Sequence, residues 1–156
     1  MKSGGIVKAQ VWDTAGQERY QAITAAHYKR SCGAIIVYDI TKSNTFQSVK
    51  KWMVALKSHA GENIVIMLIG NKLDLVNKDP ATREVSKEEA EGFASRNKLI
   101  FEESSAVSNV NVKEAFEVLM EAIYNEQSKV ANKVEEARGI SLVSGRVEEK
   151  SKGCCL

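Results

Sequence analysis

The stretch that decides the fold is residues 63–74, which read NIVIMLIGNKLD. Residues 63–70 form an almost continuous apolar run, which is typical of a β-strand buried on both faces of a sheet. Polar residues follow directly where such a strand would end. Because both faces of the strand need a cover, this stretch predicts a parallel sheet with helices packed on either side.

Strand-like and helix-like patterns alternate on both sides of this stretch. Further strands are predicted at residues 6–13, 33–40 and 99–104. Helical periods of apolar residues cover residues 45–60, 86–97 and 111–128, and Ser86 with Glu89 forms a capping box at the start of the second. This alternation predicts an α/β fold with a mostly parallel sheet, in which ligands bind at the carboxyl ends of the strands.

The first candidate site follows the first predicted strand and reads DTAGQE at residues 13–18. Asp13 could hold Mg²⁺ through a water molecule, and Gly16 would let a backbone N–H approach a phosphate oxygen closely. Gln17 could orient an attacking water molecule. Phosphoryl transfer depends mainly on such positioning and on charge neutralisation. The alternative is an ordinary turn, which Asp-x-x-Gly alone would favour.

The second candidate site follows the strand at residues 63–70. Asp74 could accept the two N–H donors that a guanine base presents on one edge, and the stem of Lys72 could cover the flat face of the base. Asn71 could tie neighbouring loops together by hydrogen bonds. The alternative is a polar turn after a strand, which is common.

The third candidate site follows the last predicted strand. Small residues at Ser105 and Ala106 would let backbone N–H groups reach the carbonyl of the base. On its own this signal is weak, because a serine-rich strand end is usually only a turn.

Three segments in this order resemble the Ras superfamily of small GTPases: WDTAGQERY at 12–20, GNKLD at 70–74 and ESSA at 103–106. The first has the form of the Rab branch. Two stretches, QAITAAHYK at 21–29 and NIVIMLIGNKLDL at 63–75, are most similar to the Rab eleven subgroup. The resemblance implies the P-loop NTPase (small GTPase) fold.

The resemblance also implies site residues and cofactors. GTP or GDP would be bound with Mg²⁺, which Asp13 would hold through water. Gln17 would be catalytic by positioning the hydrolytic water, and Trp12 and His27 would belong to the surface that effectors contact. The implied nucleotide-binding residues are Asp13, Thr14, Ala15, Gly16, Gln17, Asn71, Lys72, Leu73, Asp74, Ser105 and Ala106.

The implied partners are effectors, an exchange factor, a GTPase-activating protein, a GDP-dissociation inhibitor and a prenylation escort protein. Cys154 and Cys155 look like the paired cysteines that Rab proteins carry for double geranylgeranylation, and two lipid chains give stable anchoring. The resemblance thus implies a place on the cytoplasmic face of endomembranes, on recycling or secretory vesicles, in exchange with the cytosol. The formal net charge of +2 predicts no nucleic-acid partner.

The resemblance and the loss of the apolar period after residue 128 divide the chain in two. Residues 1–128 are predicted to be a truncated small GTPase domain, and residues 129–156, which lose the apolar period, a disordered tail with the lipidation site. No apolar run approaches the roughly 20 residues of a membrane span. The three cysteines, two of them adjacent, argue against a disulfide framework.

The sequence departs from the family pattern in one large way, because no glycine in it is followed by lysine and the motif G-x-x-x-x-G-K-[ST] is absent. The first two strands, the first helix and the first switch of the family have no counterpart. Few groups would then hold the phosphates. The missing first strand lies centrally in the family's sheet, so the chain alone is predicted to be unstable or partly molten. Cooperative thermal unfolding in the normal range would contradict this prediction.

Two hypotheses follow. In the first, the gene product is a GTP-hydrolysing switch in membrane traffic. In the second, the chain is a fragment that binds no nucleotide and acts only as an interaction module. A phosphate-loop motif in frame upstream of Met1 would favour the first hypothesis.

Overall fold

A computed structural model describes residues 7–14, 28–61, 63–138 and 154–155 of the 156-residue chain. The strands are β1 (Ala9–Gln10), β2 (Gly33–Asp39), β3 (Val65–Asn71), β4 (Ile100–Glu103) and β5 (Cys154–Cys155). The helices are α1 (Ser43–His59), α2 (Leu73–Lys78), α3 (Lys87–Asn97) and α4 (Val112–Arg138), with a 3₁₀ turn at Pro80–Thr82.

Three of the strands form a parallel sheet in the order β2-β3-β4. The β2–β3 ladder ends with Asp39 opposite Asn71, and the β3–β4 ladder ends with Gly70 opposite Glu103. The predicted parallel sheet is therefore confirmed, and the carboxyl ends of its strands lie at one edge.

The first predicted strand, residues 6–13, is much shorter within the described residues. Only β1 remains, and it pairs in parallel with β5 in a separate two-stranded sheet, Ala9 opposite Cys154 and Gln10 opposite Cys155. Within the described part of the chain, β2 has a neighbouring strand only on its β3 side.

Alternate residues of β3 face two apolar clusters on opposite sides of the sheet. Ile66 and Leu68 belong to the cluster with α1 and α3, and Met67 and Ile69 belong to the cluster with α4. The helices contribute Val49, Met53 and Leu56 from α1, Ala90 and Ala94 from α3, and Ala115, Leu119 and Ile123 from α4. The prediction of helices on both faces is therefore confirmed, and it explains why β3 is apolar at consecutive positions.

Helix α3 begins at the capping box that the sequence predicts. The Ser86 hydroxyl accepts a hydrogen bond from the backbone N–H of Glu89 at 3.1 Å. Glu88 and Glu89 lie in the first turn, where the helix dipole favours negative charge. The helix ends at Lys98, which adopts a left-handed conformation with φ 58°.

Two helical segments differ from the sequence prediction. Helix α2 begins inside the second candidate site, where no helix is predicted, because Lys72 adopts φ 75° and turns the chain into it. Helix α4 continues to Arg138, so residues 129–138 are helical although they were predicted to be disordered. The apolar period is lost there, but alanine, glutamate, lysine and arginine dominate the segment and have high helix propensity.

Gly70 lies at a tightly packed position of the sheet. A Cβ atom added there would lie 2.7 Å from Cγ2 of Ile40 and 2.8 Å from the hydroxyl oxygen of Tyr38. Tyr38 is 2% exposed, and none of the described residues offers a hydrogen-bond partner to its hydroxyl. Burial raises the pKa of Tyr38 far above its ordinary value.

The cysteine count argued against a disulfide framework, but Cys32 is disulfide-bonded. Its Sγ also accepts a hydrogen bond from the Gln127 side chain on α4 at 3.0 Å, which joins the start of β2 to that helix. None of the helices in the described part of the chain has the length and apolar character that crossing a membrane requires.

Candidate guanine-recognition site

The carboxyl ends of β3 and β4 hold two of the three predicted loops against each other. Parallel strands end at the same edge of a sheet, so the loops that follow them become neighbours. The backbone N–H of Ser104 donates to the carbonyl of Gly70 at 2.8 Å, and that of Leu73 donates to the carbonyl of Ser104 at 3.0 Å. These bonds fix the distance between the second and third candidate sites.

Asn71 connects three loops at this edge. Its side-chain Oδ1 accepts a hydrogen bond from the backbone N–H of Ala106 at 3.1 Å. Its backbone carbonyl accepts from the N–H of Ile40 at 3.1 Å, at the end of β2. A single residue thus joins the ends of β2, β3 and β4.

Asp74 lies in the first turn of α2, facing Ser105. The Ser105 hydroxyl donates to Oδ1 of Asp74 at 2.6 Å and accepts from the backbone N–H of Ser108 at 3.1 Å. Ser105 is 0% exposed, whereas Asp74 is half-buried. The serine therefore orients the carboxylate and leaves it open to solvent on one side.

The backbone N–H groups of the third site donate hydrogen bonds to other groups of the protein. That of Ser105 donates to the carbonyl of Val110 at 3.0 Å, and that of Ala106 donates to Asn71. That these N–H groups reach a base carbonyl stays a prediction, and in this structure both donate to partners within the protein.

Lys72 makes a contact that the sequence did not predict. Its Nζ lies 2.7 Å from Oδ2 of Asp39, the last residue of β2, and the lysine side chain is 45% exposed. The other oxygen of Asp39 accepts from the backbone N–H of Thr41 at 2.9 Å and from its hydroxyl at 2.6 Å. Burial by itself would raise the pKa of Asp39, but the hydrogen bonds from Lys72 and Thr41 outweigh it and lower that pKa.

Asp39 was missed for a specific reason. The end of the strand at residues 33–40 was identified as a position for chemistry, but no motif follows it. The available signal was a carboxylate at the end of an apolar strand. A lysine follows the end of the next strand along the chain.

Behind the loops, Arg83 and Glu103 support the end of β4. The guanidinium donates to both carboxylate oxygens of Glu103, at 2.6 and 2.9 Å, and to the carbonyl of Val85 at 3.1 Å. The side chain of Glu103 is 8% exposed. The Glu103 pairing is the strongest influence on the pKa of Arg83 and raises it. Such a bidentate pair fixes the strand end from which the third loop starts.

The first candidate site is only partly described. Asp13 and Thr14 lie along a groove beside Gly33 and Val37 of β2, which none of the residues of the second and third sites lines. Trp12 is 43% exposed beside them. The predicted residues Ala15, Gly16, Gln17 and His27 lie outside the described residues, as do the side chains of Cys154 and Cys155.

The predicted Mg²⁺ site rests on Asp13 alone in this structure. Across residues 7–14, 28–61, 63–138 and 154–155, no three histidine, cysteine, aspartate or glutamate side chains are grouped so that they could hold a metal ion. One carboxylate fits a cation that keeps most of its water ligands, as Mg²⁺ often does.

Comparison with known proteins agrees with the motifs. The Ras family profile matches residues 1–125. The chain is 44% identical over 162 residues to Ras-related protein YPTC6 of Chlamydomonas reinhardtii, covering 97% of this chain and 73% of that protein. It is 49% identical over 133 residues to Ras-related protein Rab11A of Lotus japonicus, covering 85% and 57%. It is 53% identical over 118 residues to GTP-binding protein ypt3 of Schizosaccharomyces pombe, covering 76% and 53%.

The chain therefore spans between about half and three-quarters of the length of these relatives. The parallel sheet, the loops at its carboxyl edge and the profile match all agree with the resemblance drawn from the motifs. The chain belongs to the Ras family, on its Rab branch.

Proposed function

We propose that this chain belongs to a guanine-nucleotide switch that hydrolyses GTP to GDP and phosphate and recruits effectors in vesicle traffic while GTP is bound. The observation that supports this most directly is the pair of hydrogen bonds that join Asn71 to Ala106 and Asp74 to Ser105. Membership of the Rab branch supports the same function. Because the chain spans only part of its relatives, the proposal concerns the switch to which these residues contribute.

The guanine base would lie against Asp74. A guanine base presents a ring N–H and an exocyclic amino group side by side, and a carboxylate with two oxygens can accept both. The Ser105 hydroxyl occupies one lone pair of Oδ1, which leaves acceptor capacity on both oxygens. An adenine base presents an acceptor at the equivalent ring nitrogen, so the same carboxylate would reject it.

Lys72 would support the base rather than donate to it. Its ammonium is drawn to Asp39 at 2.7 Å, so the apolar stem is held across the edge of the sheet between β2 and α2. Asn71 would keep this arrangement fixed, because it bonds the loop that carries Ala106. Leu73, the first residue of α2, would contribute through its backbone bond to Ser104.

The phosphate side of the site would rest on residues 13–17. Asp13 would hold a magnesium ion through water, with Thr14, Ala15 and Gly16 beside the phosphates and Gln17 placing the hydrolytic water. When bound, the ion would neutralise charge on the phosphate oxygens. The missing G-x-x-x-x-G-K-[ST] motif leaves these residues as the phosphate contacts that the sequence offers.

Membership of the Rab branch also supports the cellular setting. We expect effectors to contact Trp12 and His27, and regulators of the family to act on the switch. Lipids on Cys154 and Cys155 would anchor the protein to the cytoplasmic face of recycling or secretory membranes, and this form requires both thiols to be reduced. Prenylation escort and GDP-dissociation inhibitor proteins would carry the lipidated protein through the cytosol.

The test is a change of base specificity at Asp74. In Asp74→Asn the carboxamide loses one acceptor and gains a donor, so the variant should lose roughly 10- to 100-fold in affinity for GDP, as expected for a charged hydrogen-bond partner. It should gain affinity for xanthosine diphosphate, whose second carbonyl accepts that donor. Binding of fluorescent GDP and XDP, measured by titration, gives both values.

Asp79→Asn is the matched control. Asp79 caps the 3₁₀ turn through the backbone N–H of Ala81, and asparagine caps as well as aspartate. This variant should bind GDP as the unmodified chain does. If Asp74→Asn also kept its GDP affinity, or if the chain preferred adenosine nucleotides, the proposed base site would be wrong.

The second candidate function is an interaction module that binds no nucleotide. It is favoured by the position of Asp13 and Thr14, which line a groove that none of the residues of the second and third sites lines. Titration of micromolar protein with labelled GTP distinguishes the two. No saturable binding to the intact chain would support the module and exclude hydrolysis by this chain on its own.

A further inference from the structure

The exposed side of helix α1 is basic. Residues 41–60, which comprise the helix and its flanks, contain four lysines and no aspartate or glutamate. They therefore carry a formal charge of +4, and the rest of the chain carries +2 minus +4, or −2. The positive charge of the protein is thus concentrated on one element, although the net charge of the whole chain is small.

Three of these lysines surround one exposed valine. Val54 is 59% exposed. Residues three or four positions apart on a helix are neighbours, so Lys50 and Lys51 lie one turn before Val54 and Lys57 lies one turn after it. All three lysines are exposed, and the opposite side of the helix packs into the apolar cluster that it shares with β3. We call Lys50, Lys51, Val54 and Lys57 the lysine face.

The lysines of this face have no acidic partner within the described part of the chain. None of the three forms an ion pair there, and Lys51 instead lies over the ring of Trp52, 6.0 Å from its centroid. Three exposed lysines on other helices do have such partners, in the pairs Lys87–Glu91, Lys113–Glu117 and Lys129–Glu126. The charge of the lysine face is therefore available to an external partner.

An acidic residue contacts α1 at its start, away from the lysine face. Oε2 of Glu84 accepts a hydrogen bond from the backbone N–H of Ser43 at 2.7 Å. Ser43 precedes Lys50 by seven residues, which is ~10 Å along the helix axis. Glu84 thus caps the first turn of the helix and leaves the lysines in its second half uncompensated.

The composition of the lysine face indicates which anionic partner it fits. Protein–protein interfaces are enriched in aromatic residues and arginine and depleted in lysine, and buried aromatic or arginine anchors supply most of their binding energy. The lysine face has one small apolar side chain and no arginine. A lysine ammonium is a point charge, whereas arginine recognises single carboxylates in a bidentate geometry. Such a face fits a dense layer of negative lipid headgroups better than an acidic protein.

We infer that the lysine face contacts an anionic membrane surface, with its ammonium groups at the lipid headgroups and Val54 between them. Each lysine near such a surface strengthens binding roughly fivefold. Lys50 and Lys57 are ~10 Å apart along the axis, so both reach the headgroups only when α1 lies along the membrane. The inference depends neither on nucleotide binding nor on lipids at Cys154 and Cys155, so it and the proposed function can fail separately.

The test is binding of the full chain, without lipid on its cysteines, to vesicles. Vesicles of equal parts phosphatidylserine and phosphatidylcholine are compared with vesicles of phosphatidylcholine alone by co-sedimentation. We expect at least tenfold stronger binding to the anionic vesicles at an ionic strength of ~0.02 M. Binding should fall as the ionic strength is raised to ~0.15 M, because salt screens exposed charges.

Two triple variants identify the surface that binds. Lys50→Gln, Lys51→Gln and Lys57→Gln together should weaken binding to the anionic vesicles at least tenfold. The control makes the same change of three charges elsewhere and should weaken binding less than threefold. It replaces by glutamine the paired lysines of α3 and α4, which are Lys87, Lys113 and Lys129.

A single variant tests the face without removing a lysine. In Val54→Glu the new carboxylate lies one turn from Lys50 and Lys57, where such pairs support a helix. The fold should therefore be retained while the positive charge of the face is neutralised, and binding should weaken at least fivefold. Val118→Glu is the control, because it makes the same change at a valine on α4 that is 46% exposed, and it should weaken binding less than twofold.

Three results would overturn the inference. Equal losses in the two triple variants would show that binding follows net charge rather than the lysine face. Unchanged binding of Val54→Glu would show that the face does not meet the headgroups. The absence of a preference for anionic vesicles would exclude the membrane as partner. In that case, saturable binding of a peptide of eight glutamates, lost when the three lysines of the face are replaced, would make an acidic protein the partner.

Discussion

Two regions of the molecule differ in how completely their residues are partnered. The closed side comprises the loops at residues 39–41, 71–74 and 103–106, where side chains bond across elements and Ser105 is fully buried. The open side comprises segment 7–14 and the free edge of β2, where Val11 is 58% exposed. The closed side is joined by bonds between groups of this chain. On the open side, the described strands leave one edge of β2 without a neighbour.

This difference restricts where melting should occur. Sequence analysis predicts that the chain is unstable or partly molten, because the family's central first strand has no counterpart in it. We expect such melting on the open side, because β3 and its helices bury apolar clusters on both faces of the sheet. The predictions that follow test the contrast, from the largest expected effect to the smallest.

The largest effect is expected at the pair behind the closed side. Arg83→Ala removes the bidentate partner of Glu103, which is 8% exposed, and leaves a buried carboxylate without its cation. Loss of one partner of a buried pair costs about 3–5 kcal/mol in the free energy of unfolding. Unfolding by urea measures this loss in the free energy of unfolding. Lys113→Ala, which removes an exposed ion pair with Glu117, is the control and should cost about 0–1 kcal/mol. Equal costs would mean that the closed side is no better ordered than the surface.

A smaller effect is expected from Gly70→Ala. The new methyl group would lie within 2.8 Å of both Ile40 and Tyr38, which are buried and cannot move aside freely. Overpacking of this kind costs about 1–3 kcal/mol in the free energy of unfolding. Gly61→Ala is the control, because no atom lies within 4 Å of a Cβ added there. A thermal unfolding temperature that is unchanged in Gly70→Ala would contradict the packing described for the closed side.

The third prediction concerns acid. Because Lys72 and Thr41 lower the pKa of Asp39 in the folded protein, the ionised carboxylate stabilises the fold. That contribution is present above the ordinary aspartate pKa of about 3.9 and is lost as the pH falls through the lower folded value. Asp39→Asn should therefore cost about 1 kcal/mol near neutral pH, the size of a typical hydrogen bond. The stability difference from the unmodified chain should shrink below pH ~4.

Unfolding by urea between pH 2.5 and 7 measures this difference. Lys72→Met should reduce the same acid-sensitive contribution, since it removes the cation at 2.7 Å from Asp39. A stability difference for Asp39→Asn that did not change with pH would show that the carboxylate charge plays no part in joining β2 to the loop after β3.

The smallest effect is expected on the open side. Val37→Lys replaces a side chain that is 56% exposed, so the free energy of unfolding should change by less than about 0.5 kcal/mol. Ile36→Lys, one residue earlier and 7% exposed, is the comparison and should destabilise the fold severely. If Val37→Lys were as costly, the Val37 side chain would be covered in solution and the contrast between the two sides would be wrong.

The parts of the fold that sequence predicted well are those with a local cause. The apolar run at residues 63–70 became β3, and the capping box at Ser86 became the start of α3. The end of α4 was predicted too early, because the apolar period stops before the helix does. Helix α2 was missed, because it depends on a left-handed Lys72 that no propensity scale marks.

In the candidate site, too, sequence predicted the residues that lie within one motif and missed the contacts between distant parts of the chain. The motif at residues 71–74 located Asn71 and Asp74, and the structure places both beside the loop after β4. The partners of Lys72 and Glu103 could not be predicted, because Asp39 and Arg83 come from other parts of the chain and are brought close only by the sheet. The backbone N–H groups at Ser105 and Ala106 were predicted to reach a base carbonyl. In the structure they donate to the carbonyl of Val110 and to the side chain of Asn71.

Helix α4 has a consequence for where the end of the chain can be. It contacts the sheet through Ile123 and reaches Cys32 through Gln127, then continues to Arg138. At 1.5 Å per residue, the portion after Gln127 is ~16 Å long. The end of the chain nevertheless pairs with β1 through Cys154 and Cys155, so the length of this helical portion does not by itself keep that end away from β1. Removing whole turns would shorten the portion in steps of ~5.4 Å while preserving its rotational phase.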